Sequence, residues 1–193
     1  MAENISVAHS DDNASSDSTD NTVNTANTVP PVSYTELTRE FYRAFSQKMP
    51  PAGTEASLDE SVISEDRLHL KMNLIAEEFV ELVEAVYGKK SAREVRHGFR
   101  KAVQLDEFNR DVVEAADATA DLRVVLDGFD IEAAIPTEAV VEEVFRSNMS
   151  KLDSEGNPII SDGSGIAPLG KILKSDNYFP PNVEAILKNN RAQ

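Results

Sequence analysis

The sequence predicts an all-α fold, a helical bundle built on two antiparallel helices that each carry a stripe of carboxylates. Apolar residues recur at helical spacing through most of the chain after residue 30. Gly88 stands where one such segment stops, as a helix C-cap does, and Pro136 stands where another begins. With 193 residues, the chain is long enough for one domain with a sizeable core and an appendage.

Composition excludes several classes of function. The net charge of −15 argues against non-specific binding to nucleic acid and to anionic membranes. The absence of cysteine excludes disulfides, thiolate metal ligands and a cysteine nucleophile. No apolar run approaches membrane-spanning length, and the N-terminus lacks the pattern of a signal peptide. We therefore expect a cytoplasmic protein with neither a nucleic-acid nor a membrane partner.

Residues 1–30 are predicted to be a disordered acidic tail, since they contain no aromatic residue, lysine or arginine. A dispensable extension is favoured over a regulatory tail. The folded domain is predicted to span residues 31–193. Its first helix, residues 34–46, carries Leu37, Phe41 and Phe45 on one side. Phe41, Tyr42 and Phe45 could line a nucleobase, but ordinary core packing is the favoured interpretation.

The first acidic helix is predicted over residues 65–88, after a Pro- and Gly-containing loop at residues 47–63. Its carboxylates at Glu77, Glu81 and Glu84 share one face. The predicted core face lies roughly opposite and consists of Met72, Ile75, Phe79, Leu82, Val83 and Val86. Taken alone, this helix favours the simpler interpretation of an amphipathic helix with a solvated acidic face.

A basic helix is predicted over residues 89–101, where six basic residues occur in thirteen positions of an acidic protein. This segment could complement an acidic surface of a partner or of the protein itself. A phosphate-binding role is the less favoured alternative.

The second acidic helix is predicted over residues 108–128 and is apolar around most of its circumference, which is typical of a buried helix. Glu114, Asp117 and Asp121 align on it, and Asp121 lies between Ala118 and Val125, so it is expected to point inward. Two facing acidic stripes would repel each other unless a cation lay between them, and a divalent metal ion is the natural occupant.

The remaining chain is predicted to form a helix at residues 136–151, a loop or short hairpin at 153–177, and a terminal helix at 182–189. By this stage the sequence resembles the MazG-like all-α nucleoside triphosphate pyrophosphohydrolases, relatives of phosphoribosyl-ATP pyrophosphatase and dimeric dUTPases. The resemblance covers about residues 34–187. It depends on the E-E-x-x-E motif at Glu77, Glu78 and Glu81, the later Ala-Asp-Leu at Asp121, and the C-terminal motifs that run from Asn148 to Lys151 and from Asn177 to Pro181.

The resemblance implies Mg²⁺-dependent hydrolysis of a nucleoside triphosphate to the monophosphate and pyrophosphate, with Mn²⁺ as a substitute. It implies a site with the metal ligands Glu77, Glu78, Glu81, Asp117 and Asp121, the catalytic residues Glu78 and Glu81, and the substrate-binding residues Asn148, Lys151, Lys171, Lys174 and Tyr178. Ala118 stands where the family motif has Glu, so Asp117 has less support as a ligand than Asp121.

Apolar surface left on the acidic helices favours a homodimer or homotetramer. Two alternatives remain open, phosphoribosyl-ATP as the substrate and a non-enzymatic acidic module for oligomerisation. Asp121 is the expected discriminator between enzyme and module: a buried side chain facing Glu77, Glu78 and Glu81 would favour the enzyme, and exposure would favour the module.

Overall fold

The computed structural model describes residues 33–190. Over this range the chain forms six helices: α1 (Tyr34–Ala44), α2 (Glu65–Tyr87), α3 (Lys89–Val103), α4 (Val112–Glu132), α5 (Thr137–Met149) and α6 (Val183–Asn190). The only β contact in the described residues is an isolated antiparallel bridge between Ile160 and Ile172. The all-α fold is therefore confirmed. The predicted disordered tail, residues 1–30, lies outside the described residues and stays a prediction.

Local signals set the ends of the long helices. Gly88 has a φ of 86°, a left-handed conformation that glycine adopts without steric cost, and its amide donates to the Glu84 carbonyl. The chain therefore turns at this residue and begins α3 at once. At the start of α4, the Asp111 carboxylate accepts hydrogen bonds from the amides of Val113 and Glu114.

The core of the domain lies between α2 and α3. Val80 and Val83 of α2 pack with Ala92 of α3, and Val95 packs against this cluster. The predicted core face of α2 is wrong for the most part, because Leu70, Val80 and Val83 are its buried residues, whereas Met72, Ile75, Phe79 and Val86 are exposed. The reason is the sharp turn at Gly88, which lays α3 against the Val80–Val83 side of α2.

Helix α4 contradicts the prediction of a buried second acidic helix. No residue of α4 is buried in the single chain. An open apolar cavity of about 540 Å³ lies between α2 and α4, and Phe79, Leu122 and Leu126 are among its lining residues. Because α2 packs its Val80–Val83 side against α3 and the cavity separates α2 from α4, the apolar residues of α4 stay uncovered in the single chain.

The other helices flank this core. Phe45, just after α1, is fully buried and stacks on Phe41 with ring centroids 4.3 Å apart. Core packing, the favoured interpretation of Phe45, is therefore confirmed. Helices α1 and α6 both contact α5, and residues between α5 and α6 run as a long loop closed by the Ile160–Ile172 bridge. None of the helices in residues 33–190 has the length and apolar character needed to cross a membrane.

Candidate functional site

Three glutamates of the E-E-x-x-E motif lie within little more than one turn of α2. Glu77, Glu78 and Glu81 are all more exposed than the neighbouring core residue Val80. Partial burial raises the pKa of Glu78, and the negative charges of Glu81 and Glu77 raise it further. Positive charges at Lys151 and Lys171 act in the opposite direction. The motif therefore forms a concentrated negative centre with two lysines beside it.

Lys171 joins the distant C-terminal loop to this centre. Its Nζ lies 2.8 Å from Glu77 Oε2, in an ion pair between a half-buried and an exposed side chain. The preceding residue, Gly170, has a φ of 79° and packs its backbone close to the side chains of Arg67 and Leu70 on α2. A side chain would be strained at this φ, so glycine allows the loop to approach α2 and to direct Lys171 at Glu77.

A second group of predicted substrate-binding residues surrounds the end of α5. Lys151 Nζ donates to Asn148 Oδ1 at 2.6 Å, and Lys174 Nζ lies 4.1 Å from the centre of the Tyr178 ring. Burial lowers the pKa of Lys151, with a further contribution from the charge of Lys174, although Tyr178 and Glu78 oppose the change. Burial alone would raise the pKa of Tyr178, but hydrogen bonds with Lys174 and Ser147 lower it overall.

Hydrogen bonds to α5 hold this C-terminal segment in place. The buried Ser147 donates to the Phe179 carbonyl at 2.8 Å, and the Phe179 amide donates to Ser150 Oγ at 3.1 Å. Ser175 Oγ donates to the Leu152 carbonyl at 2.7 Å. These contacts explain how residues more than twenty positions apart in sequence meet at one place. Sequence reasoning missed the role of Ser147, although the Ser-Asn-Met-Ser run is the local signal for it.

The structure therefore brings together eight of the ten predicted site residues, namely Glu77, Glu78, Glu81, Asn148, Lys151, Lys171, Lys174 and Tyr178. The other two, Asp117 and Asp121, are exposed on α4 and form neither an ion pair nor a side-chain hydrogen bond within residues 33–190. The prediction that Asp121 points inward is wrong for the single chain. By the criterion given above, this exposure favours the acidic module in the single chain. Apolar residues of α4 such as Val124 are exposed as well, so the same criterion also has to be applied to an assembled protein.

Among residues 33–190, one group of three possible metal ligands has its ligand atoms close together, and it lies apart from the three glutamates of the motif. Single ligand atoms of Glu65, His69 and Asp106 lie within 4.8 Å of one another. The Arg110 guanidinium already binds Asp106 through two hydrogen bonds and Glu65 through a third, at 2.7 to 2.8 Å. This arginine offsets one of the two carboxylate charges and fastens the start of α2 to the loop before α4. The sequence carried no signal for it, since Glu65 and Asp106 are far apart in the chain.

The charges of the assembled site suit a polyphosphate with bound metal ions. Glu77, Glu78 and Glu81 are balanced by Lys151, Lys171 and Lys174, so the site itself is close to neutral. A polyphosphate would add several negative charges, and further cations would be needed to compensate them. Carboxylate oxygens are the ligands that Mg²⁺ prefers, and Mg²⁺ commonly bridges carboxylates and substrate phosphates. The donor set therefore fits magnesium.

Sequence reasoning did not single out two arginines of α3 next to the motif, although a phosphate-binding role of the basic segment was its less favoured alternative. Arg96 and Arg100 line a cavity of about 200 Å³ together with Glu77, and Pro168 of the C-terminal loop lies at its edge. The basic composition of α3 was visible in the sequence. The sequence did not show which of the six cations lie near α2, because that depends on how the two helices pack.

Comparison with known proteins adds a family to this geometry. The family model for phosphoribosyl-ATP pyrophosphohydrolase matches residues 38–148, more than half of the chain. The chain belongs to this family. The match contains the E-E-x-x-E motif, α3, α4 and most of α5, and it confirms the resemblance to MazG-like pyrophosphohydrolases. Lys151 and the later substrate-binding candidates lie beyond the matched range.

A solved structure shows the same fold. The crystal structure of a candidate NTP pyrophosphohydrolase from Exiguobacterium sp. 255-15 superposes with a TM-score of 0.55 at 23% sequence identity. The alignment covers 84% of this chain and 95% of that protein. No curated protein sequence matches the chain significantly.

Proposed function

We propose that the protein hydrolyses a nucleoside triphosphate, or a deoxynucleoside triphosphate, to the monophosphate and pyrophosphate. The observation that carries this proposal is the contact between Lys171 and Glu77, with Lys151 and Glu78 close enough to affect each other's pKa. A carboxylate cluster beside lysines is the arrangement that a metal-bound polyphosphate requires, and family membership supports pyrophosphohydrolysis.

In this proposal Glu77, Glu78 and Glu81 hold Mg²⁺, with Asp121 and Asp117 as further ligands. When bound, Mg²⁺ would neutralise the triphosphate and lower the pKa of an attacking water. Lys151 and Lys171 contact phosphate oxygens, and Asn148 keeps Lys151 in position through its 2.6 Å hydrogen bond. Lys174 and Tyr178 complete the cationic side of the site.

Glu78 is the proposed general base. Burial raises its pKa, and a motif carboxylate that is not fully engaged with metal would keep enough proton affinity to take a proton from water. The oxygen of water bonds to the α-phosphorus, the bond from this phosphorus to the bridging oxygen breaks, and pyrophosphate leaves. Glu78 takes the proton of the attacking water. Glu81, which raises the pKa of Glu78 through its charge, is the second catalytic residue.

Phosphoribosyl-ATP is the second candidate substrate, and the family match is the observation that favours it. Its hydrolysis breaks the same phosphoanhydride bond, so the roles of the residues are unchanged. The two candidate substrates would need different residues around the base and the sugar, whereas the carboxylate site would be the same for both.

A homodimer or homotetramer is part of the proposal. Val113, Val124, Val125 and Ile131 of α4 each expose more than 60% of their surface in the single chain. Several exposed apolar side chains on one helix favour an association surface, and a second copy of the chain would cover them. The same contact would bring α4, with Asp117 and Asp121, into a shielded environment. We expect the assembled enzyme to act in the cytoplasm.

The experiment that tests the proposed function is pyrophosphate release from a panel of canonical and modified NTPs and dNTPs and from phosphoribosyl-ATP, with and without Mg²⁺. The nucleotide product is identified in each reaction. Metal-dependent formation of a monophosphate supports the proposal, and the preferred substrate decides between the two candidates. A protein that is folded and oligomeric but silent across the whole panel would instead support the acidic module.

A further inference from the structure

A cavity between α2 and α3 contains two cations that the proposed reaction has not yet used. Arg96 and Arg100 are four residues apart, so they lie one turn apart on the same side of α3. They line a cavity of about 200 Å³ with Glu77, which stands at the edge of the carboxylate motif. The apolar floor of the cavity comes from Ala76, Val80 and Phe99.

Neither arginine forms an ion pair within the described residues. The carboxylate that lines the same cavity, Glu77, is paired with Lys171 instead. Both guanidinium groups are therefore available to an external anion, and guanidinium groups bind phosphate through paired hydrogen bonds.

The nucleoside end of a substrate fits better near the second group of cations, Lys151 and Lys174. Asn148, next to Lys151, also lines a separate apolar cavity of about 270 Å³ with Phe41 and Phe145. Aromatic and apolar walls with a few polar side chains, Thr38 and Asn148 among them, suit a base and a sugar. The cavity at Arg96 and Arg100 is smaller and has two cations at its wall, so it suits a compact, highly charged group.

We propose that Arg96 and Arg100 form a phosphate subsite that binds the pyrophosphate end of the substrate, on the Glu77 side of the carboxylate motif. Hydrolysis splits the substrate into two anionic products, and the site offers two groups of cations from different elements. Lys151 and Lys174 would bind the monophosphate product, and the two arginines would bind pyrophosphate. This inference rests on the proposed function for its role in turnover, whereas the binding of pyrophosphate can be measured without turnover.

The test is titration calorimetry of inorganic pyrophosphate and, separately, of AMP, each with Mg²⁺, against the full-length protein. The variant R96Q/R100Q is compared with K90Q/K101Q, which removes the same charge. Lys90 and Lys101 lie on the opposite side of α3 from the buried Ala92 and do not line the cavity. Circular dichroism checks that each variant folds, and R96K/R100K tests whether charge alone suffices.

We expect R96Q/R100Q to raise the Kd for pyrophosphate about tenfold or more while the Kd for AMP stays unchanged. K90Q/K101Q should leave both Kd values unchanged, and R96K/R100K should restore part of the affinity for pyrophosphate. An equal loss in K90Q/K101Q would overturn the subsite, because it would indicate a long-range effect of charge. An equal loss of AMP binding, an unchanged Kd for pyrophosphate, or no binding of pyrophosphate to the wild type would also overturn it.

The two proposals fail separately. Specific binding of pyrophosphate at the arginines without turnover of any nucleotide would preserve the subsite and refute the enzymatic function. Turnover of a nucleotide with unchanged pyrophosphate binding in R96Q/R100Q would preserve the function and refute the subsite.

Discussion

Lys171 Nζ lies 2.8 Å from Glu77 Oε2, although 94 positions separate the two residues in the sequence. This contact joins the C-terminal loop to the carboxylate motif of α2. Because the pair is only partly buried, it adds little to the free energy of folding. Its significance is positional: it keeps an ammonium group at the carboxylates where a phosphate would bind.

Replacing Lys171 with Gln should lower kcat/KM for the preferred nucleotide about tenfold or more, because a cation that contacts substrate phosphate is lost. Pyrophosphate release at saturating Mg²⁺ measures the effect. Lys188→Gln is the matched control, since Lys188 is an exposed lysine of α6 that pairs only with Glu184. Equal activity of the two variants would contradict a role for Lys171 at the substrate.

Replacing Glu81 with Gln should abolish turnover, a loss of about 100-fold or more, while the helical content stays that of the wild type. The substitution keeps size and polarity but removes a charge that raises the pKa of Glu78 and that is proposed to bind metal. Steady-state kinetics and far-UV circular dichroism are the two measurements. Glu94→Gln, at an exposed position of α3, should retain full activity. Wild-type rates in Glu81→Gln would remove this residue from the site.

The double substitution V124E/V125E should convert the assembled protein to monomers, since it places two charges on the apolar surface of α4. Size-exclusion chromatography with light scattering gives the mass. Ile166→Glu is the control, because Ile166 is fully exposed in the loop after α5. A wild-type protein that is monomeric, or a V124E/V125E variant of unchanged mass, would show that α4 is not the interface.

Stability at acidic pH should depend on Asp106. Hydrogen bonds from Arg110 hold the pKa of this carboxyl well below its ordinary value. A pKa that is lower in the folded than in the unfolded state stabilises the fold above the unfolded pKa, and this contribution falls away as the pH drops below about 4. Tm measured from neutral to acidic pH should therefore decline less steeply for Asp106→Asn than for the wild type. If Tm declined equally with pH in the two proteins, the hydrogen bonds between Arg110 and Asp106 would not be the cause of the pH dependence.

The sequence by itself determined the helices and much of the site. Helical periodicity, Gly88 and the E-E-x-x-E motif depend on neighbours in the chain, so the predicted helices largely coincide with α1 to α6. The C-terminal candidates, among them Lys151 and Lys171, were found through motif resemblance, and the structure places them beside the motif of α2. Their chemical roles stay predictions.

Only the tertiary structure decided which surfaces meet. The turn at Gly88 laid α3 on α2, which buried Val80 rather than Phe79 and placed Arg96 beside Glu77. Periodicity shows that a helix has an apolar face, but an apolar helix does not specify which neighbour will cover that face. For the same reason Asp121 was predicted to be buried and is exposed in the single chain. Local chemistry fixed each helix, whereas packing between distant segments fixed the composition of the site.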